Sequence, residues 1–260
     1  MSRPLVIHGT PITPKALLPQ LAGHSFCVSY AAPTQIEQVL ELQGPEGMLL
    51  LDNGAFSHWK QGKGQIDRVA FFDWANDIQA RCDVAVAVIP DVIQGSEAQN
   101  WAEAATAVHH LSDYPERLAF CWHMNDSLET LKKAAMLFNV LAIGSCAEYD
   151  VQSNRAGYFE RLREASAVLD YVEQFYGRRP WVHLMRGVAV LKDAVRFESA
   201  DSTNVARNHC RTKGTAGHVA TMAARIAAPI AAASSLAAKG PTFETSNFEY
   251  AGQAELALAA

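Results

Sequence analysis

Eight short apolar runs, most of them followed by a segment of helical periodicity, set the strongest limit on how this chain folds. The runs are PLVIH (4–8), SFCVSY (25–30), MLLLD (48–52), VAVAVIP (84–90), LAFCWH (118–123), VLAIG (140–144), WVHLM (181–185) and RFESAD (196–201). Most are continuously apolar, as strands buried on both faces are. Helical segments are expected at 34–43, 67–81, 96–110, 126–138 and 155–176, with Thr34, Ser96 and Asp126 as starting caps. Parallel strands need a crossover between them, so strand alternating with helix predicts a parallel sheet. Eight such units in about 200 residues predict an α/β fold, a closed (β/α)8 barrel of the TIM type in a single domain. The 260 residues, 49% of them hydrophobic, suffice for one core of that size. An open doubly wound sheet is the runner-up, weakened in its dinucleotide-binding form because no GxGxxG follows the first run. The barrel is expected over residues 1–214. Residues 215–260 should add a helix from about Thr215 to Lys239, kinked at Pro229 and stopped at Gly240, packed on the barrel.

In such barrels the chemistry lies at the C-terminal ends of the strands, where the loops converge on one rim. That rule selects His8, Tyr30, Asp52, Asp91, His123, Gly144 with Ser145, Met185 with Arg186, and Asp201. A single strand-end acid such as Asp201, followed by Ser, Thr and Asn, reads as a turn or cap residue. Three acids converging on one rim, Asp52, Asp91 and Asp201, read as a functional set. Converging carboxylates bind divalent metal, move protons, or attack an electrophilic carbon. No HxH or DxD stands at these strand ends, so neither a metal nor another cofactor is expected. Attack at an anomeric carbon fits better, because one carboxylate traps or stabilises an oxocarbenium-like sugar while another manages protons. Crowding them in a dry cleft raises at least one pKa.

The formal net charge of -5 argues against a protein that coats nucleic acid non-specifically. Between Arg178 and Lys213, however, eight basic residues (178, 179, 186, 192, 196, 207, 211, 213) face three acids (Asp193, Glu198, Asp201), a basic stretch suited to a polyanion. The five scattered cysteines form no CxxC or CxC pair, and as four of them sit in or beside apolar runs they read as small buried thiols of a reducing compartment. The N-terminal apolar stretch is too short for a secretory signal, and Ala223–Ala238, with Arg225 and Pro229, is a poor membrane span, so a soluble cytoplasmic protein is expected. His58 and Trp59 are placed either to stack on a base or to pack on the rim. Trp74 and Trp101 read as core, and His109 and His110 as helix-end cations. Cys146 is a remote candidate nucleophile.

Five of these stretches together resemble the tRNA-guanine transglycosylase superfamily. LLLDNGAFSHW (49–59) is similar to its DSGGFQ strand-turn, AVIPDV (87–92) to the strand whose Asp recognises the base, and LAIGSC (141–146) to its Gly-containing backbone site. VHLMRGV (182–188) is similar to its LMGVG segment, and FESADSTNVARNH (197–209) to its later Asp-bearing strand end. Order and spacing match over about residues 45–210, and the short, DNA-acting, DpdA-type and phage-related branch is the nearest in pattern. The resemblance implies a TIM-type barrel that breaks an N-glycosidic bond in a polynucleotide, DNA ahead of tRNA. It implies Asp201 as nucleophile toward C1′ and Asp52 as acid or base at the departing base. It further implies Asp91 at the base edge, Gly144 and Ser145 as backbone contacts, and Met185 stacking on the base. His123, where the family has Gln, joins Asn53, Phe56 and Asn204 as candidate substrate contacts. Arg186 and Arg207 would meet phosphate or base, with Arg207 equally placed to pair with a carboxylate.

Two departures modify this picture. The CxCxxC pattern of the family's zinc subdomain is absent, and Gly54-Ala55 stands where the family has Gly-Gly, adding a methyl group near a stacking base. The expected activity is therefore a DNA glycosylase that flips out and excises a modified base, a hydrolytic chemistry fitting antiviral defence or DNA modification. The alternatives are base exchange inserting a 7-deazaguanine, a non-catalytic nucleic-acid-binding barrel, and a small-molecule barrel enzyme. The last lacks an evident Schiff-base lysine or Gly-rich phosphate loop at a late strand end.

Overall fold

A computed structural model of the protein describes residues 4–191, 197–211, 218–232 and 240–243. Its eight strands are β1 (Leu5–Gly9), β2 (Ser25–Ser29), β3 (Leu49–Asp52), β4 (Ala85–Val88), β5 (Leu118–His123), β6 (Val140–Gly144), β7 (Trp181–Leu184) and β8 (Ser199–Ser202). They pair in parallel in sequence order, and β1 closes on β8 with Leu5 opposite Ser199 and Ile7 opposite Asp201. The expected (β/α)8 barrel is thus the observed fold. Every apolar run is a strand, and Arg196, the first residue of the last run, lies outside the described residues.

Helices α1 (Ile36–Leu42), α2 (Ala55–Lys60), α3 (Arg68–Arg81), α4 (Glu97–Thr106), α5 (Leu128–Leu137), α6 (Arg155–Tyr176), α7 (Asn204–Asn208) and α8 (Val219–Ala232) fill the outer layer. Ser96 caps α4 in a capping box with Gln99, as expected. The cap of α5 is Ser127 rather than Asp126, and that of α1 is Gln35 rather than Thr34. Asp126 is turned instead toward β5, where it accepts the His123 backbone N–H at 3.0 Å. Past Thr106 the chain continues as a π turn, Ala107–Leu111, which carries His109 and His110. Pro229 sits inside α8, and residues 215–217 and 233–239 of the expected longer helix lie outside the described residues.

Because strand side chains alternate between faces, the barrel has two cores. Leu5, Ile7, Cys27, Met48, Leu50, Val86, Val88, Ala119, Val140 and Ala142 fill the lumen. Their outward neighbours, among them Phe26, Leu49, Leu51, Ala87, Phe120, Leu141 and Leu184, pack under the helices. At the N-terminal mouth, the Gly240 N–H donates to the Glu46 carbonyl at 2.7 Å, and Phe243 packs on the lumen cluster. Among the described residues no helix is long and apolar enough to cross a membrane.

Candidate functional site

The same alternation sorts the strand-end candidates. Asp52 continues the inward series of Met48 and Leu50, His123 that of Ala119 and Cys121, and Gly144 that of Val140 and Ala142. His8 and Tyr30 fall on the opposite parity. Tyr30 packs against Phe71 and Trp74, and His8 lies 1% exposed with its ring 5.1 Å from that of His24, so neither side chain joins the inward-facing acids.

Asp201 is buried in the lumen wall, where its Oδ1 accepts the Arg186 backbone N–H at 2.5 Å and faces His183 Nε2 at 3.3 Å. His183 is fully buried, and its Nδ1 meets Ser199 Oγ at 2.9 Å, which in turn accepts Trp181 Nε1–H at 2.8 Å. An indole N–H can only donate. All four groups are satisfied when Ser199 gives its own hydrogen to His183 Nδ1 and the ring carries its hydrogen on Nε2, aimed at Asp201. His183 and Ser199 were not singled out from the sequence. The signal available was their spacing, two residues before Met185 and Asp201, which places them on the same inner face.

Asp52 has different surroundings. Burial pushes its carboxyl pKa above the ordinary Asp value, and the charges of Asp201 and Asp91 add to the rise. The Cys27 thiol, deeper in the lumen, is pushed well up by burial and then by Asp201 and Asp52, so it is an inert spectator of the two acids.

Asp91 stands three residues past β4. Its Oδ1 takes the Asn53 amide at 3.3 Å and its Oδ2 meets His123 Nε2 at 3.0 Å. Asn53, 3% exposed, also donates to the Ile89 carbonyl at 3.0 Å and accepts the Ala55 N–H at 2.7 Å. Its hydrogen-bonding groups are engaged by the scaffold, so it positions Asp91 and the start of α2 rather than reaching substrate. His123 has Cys121 Sγ 3.8 Å from Nε2 and Asp126 Oδ2 3.5 Å from Nδ1. A Cys121 thiolate would be the largest influence raising the His123 pKa, against burial, with hydrogen bonds to Asp126 and Asp91 next. Burial raises the pKa of the Cys121 thiol itself. Asp91, Cys121 and His123 present donor atoms within 4.8 Å of one another, a set able to hold a metal ion. The expectation of no metal rested on the missing HxH and DxD. The CxH of β5 was the overlooked signal, since i and i+2 of a strand share a face.

Gly144 sits opposite His123 in the β5–β6 register, and a Cβ there would come within 3.3 Å of the His123 ring. Ser145 beyond it is exposed. Met185 lies partly buried over the lumen cluster. Arg186 adopts a left-handed φ of 57° and stacks its guanidinium 5.1 Å from the centre of the exposed Phe56 ring, itself 5.7 Å from Trp59. Gly54, at φ 75°, lets the chain turn from β3 into α2. The extra methyl of Ala55 enters the strand–helix core, 6% exposed, and so leaves the rim unobstructed. Asn204 and Arg207 are exposed on α7, where Asn204 bonds Asn208 at 2.7 Å, and no carboxylate among the described residues pairs with Arg207.

Among the described residues the basic stretch does not form one face. Arg178 bonds Asn139 and Arg179 bridges Glu173 and Glu198, all near the N-terminal end of the barrel. Arg186, Arg207 and Arg211 follow β7 and β8, while residues 192, 196 and 213 lie outside the described residues. All five cysteines are free; of the four in or beside apolar runs only Cys27 is buried while Cys82, Cys121 and Cys146 are half-buried, which corrects their reading as buried thiols, and Cys210 is exposed. Trp74 and Trp101 pack on Tyr30 and Phe120 respectively, as core residues do. Comparison with protein-family models and with curated proteins finds no match.

Proposed function

We propose that the protein excises a modified base from DNA by breaking its N-glycosidic bond, with Asp201 and Asp52 as the working carboxyls. The observation that carries this reading is the contrast between them at one barrel mouth. Asp201 receives two hydrogen-bond donors on a single oxygen, whereas Asp52 is pushed toward its protonated form by burial and by the neighbouring acids. Glycoside cleavage uses one carboxyl that gives a proton to the leaving group and a second that meets the sugar, and a raised Asp52 beside a hydrogen-bonded Asp201 suits that division.

In this mechanism Asp52 gives its proton to the departing base as the C1′–N bond breaks and the bonding electrons leave with the base. Asp201 supplies the carboxylate that stabilises the cationic sugar or bonds to C1′. Water then adds its hydroxyl to C1′, its proton returns to Asp52, and an abasic site is left. The target nucleotide has to leave the stack to reach the acids at the C-terminal mouth, and a modified base gives selectivity for that step. Phe56, Trp59 and the Arg186 guanidinium form the exposed aromatic and cationic edge on which an extruded base or strand stacks.

The test is to incubate the protein with DNAs carrying different modified bases and measure free base and abasic sites by mass spectrometry. Release from a modified DNA with no acceptor base present is the expected result. Release only when a second base is supplied, without abasic sites, would establish exchange instead. Tight, salt-dependent binding with unchanged nucleosides would leave a non-catalytic barrel.

A further inference from the structure

We propose that Asp91, Cys121 and His123 bind one divalent transition-metal ion, zinc by donor type, on the β4–β5 side of the C-terminal mouth. The inference stands on donor geometry alone and holds whatever the substrate is. Cys121 and His123 occupy alternate positions of β5 and so present Sγ and Nε2 on the same inner face, 3.8 Å apart. Asp91 Oδ2 lies 3.0 Å from the same Nε2, and all three donor atoms fall within 4.8 Å of each other. Tetrahedral zinc with its usual bond lengths separates sulfur from nitrogen, and nitrogen from oxygen, by about 3.4–3.6 Å. The observed separations straddle that spacing, so small side-chain rotations admit the ion.

The surroundings are those of a metal site. Asp126 Oδ2 stands 3.5 Å from His123 Nδ1 and is itself held by the His123 backbone N–H at 3.0 Å. An outer carboxylate in that place fixes the ring tautomer and turns Nε2 toward the ion. Asn53 does the same for the aspartate, taking Oδ1 and leaving Oδ2 to the ion. Gly144, opposite His123, keeps the space beside the ring and the sulfur free, since a Cβ would lie 3.3 Å from the ring and 3.5 Å from Cys121 Sγ. A thiolate, an imidazole and one carboxylate select zinc or cobalt over magnesium and calcium, which take oxygen. Three protein ligands leave a fourth position for water or for a donor atom of a bound molecule.

The experiment uses the full chain, expressed with added zinc and purified without chelator or metal resin. Elemental analysis should find about one zinc per chain, as a three-ligand site holds. After the metal is stripped, titration with cobalt(II) should give intense visible bands and a near-ultraviolet thiolate-to-cobalt charge-transfer band. Cys121→Ser, checked for folding by circular dichroism, should lose the charge-transfer band. Asp126→Asn should keep the band at saturation but weaken cobalt affinity about 10–100-fold. Substoichiometric zinc together with no charge-transfer band in the wild type would overturn the proposal, whether or not Cys121→Ser folds. A band that persists in folded Cys121→Ser would equally overturn the assignment to Cys121. Base release is not the readout, so failure here leaves the glycosidic reading standing.

Discussion

His8 shows what a single buried residue does to this barrel. It is 1% exposed, and neither ring nitrogen has a hydrogen-bond partner among the described residues. Burial, and then the neighbouring His24, lower its pKa from 6.5 to about 3. The unfolded chain takes up this proton near pH 6.5 while the folded barrel refuses it until about pH 3. Its stability contribution is therefore complete above the unfolded value and is lost as pH falls through that window. The loss is about 1.4 kcal/mol per pH unit for one proton. His8→Phe removes the proton and should flatten the acid limb of unfolding free energy against pH by about that slope between about pH 6 and pH 4. Denaturant unfolding at several pH values reads it, and an unchanged slope would refute the assignment. The sequence placed His8 correctly at a strand end but not on a face. One residue of parity decides between lumen and helix layer, and a continuously apolar strand carries no alternation from which to read it.

At the scale of elements, the turn from β3 into α2 joins two strand ends through one side chain. Asn53 ties the Ile89 carbonyl, Asp91 and the first N–H of α2 together in a buried setting. Asn53→Ala leaves that carbonyl and N–H without partners and should cost about 1–3 kcal/mol for each group left unsatisfied. Thermal and denaturant unfolding measure this, and a neutral substitution would show that water replaces the amide. The strands themselves were legible, because eight apolar runs with helical segments between them leave few other architectures. Short helices such as α2 and α7 were not legible, since six and five residues carry too little periodicity. The caps Thr34 and Asp126 were misplaced by one residue: Ser127 is as able as Asp126 to close its turn while Asp126 is held by His123, and Gln35 starts α1 without a side-chain cap, its amide bonded instead to the Ile12 backbone.

For the whole molecule, the closed barrel gathers at one mouth residues that are far apart in the sequence. Asp52, Asp91 and Asp201 were legible as strand-end acids. The His183–Ser199 support behind Asp201 and the Asp91–Cys121–His123 set were not, because each depends on the register between neighbouring strands, β7 with β8 and β4 with β5, which apolar runs do not specify. The N-terminal mouth is covered by residues 240–243, with Phe243 on the lumen cluster, while the acids stand at the opposite end. The central claim is that this pair of acids breaks an N-glycosidic bond. The most direct measurement is the count of abasic sites formed in a susceptible modified DNA by wild type, Asp201→Ala and Asp52→Ala, each checked for folding. Loss of the acid or base alone typically costs about 10²–10⁴-fold in rate, so both variants should fall at least that far below wild type. Wild-type rates of abasic-site formation by both folded variants would contradict the account.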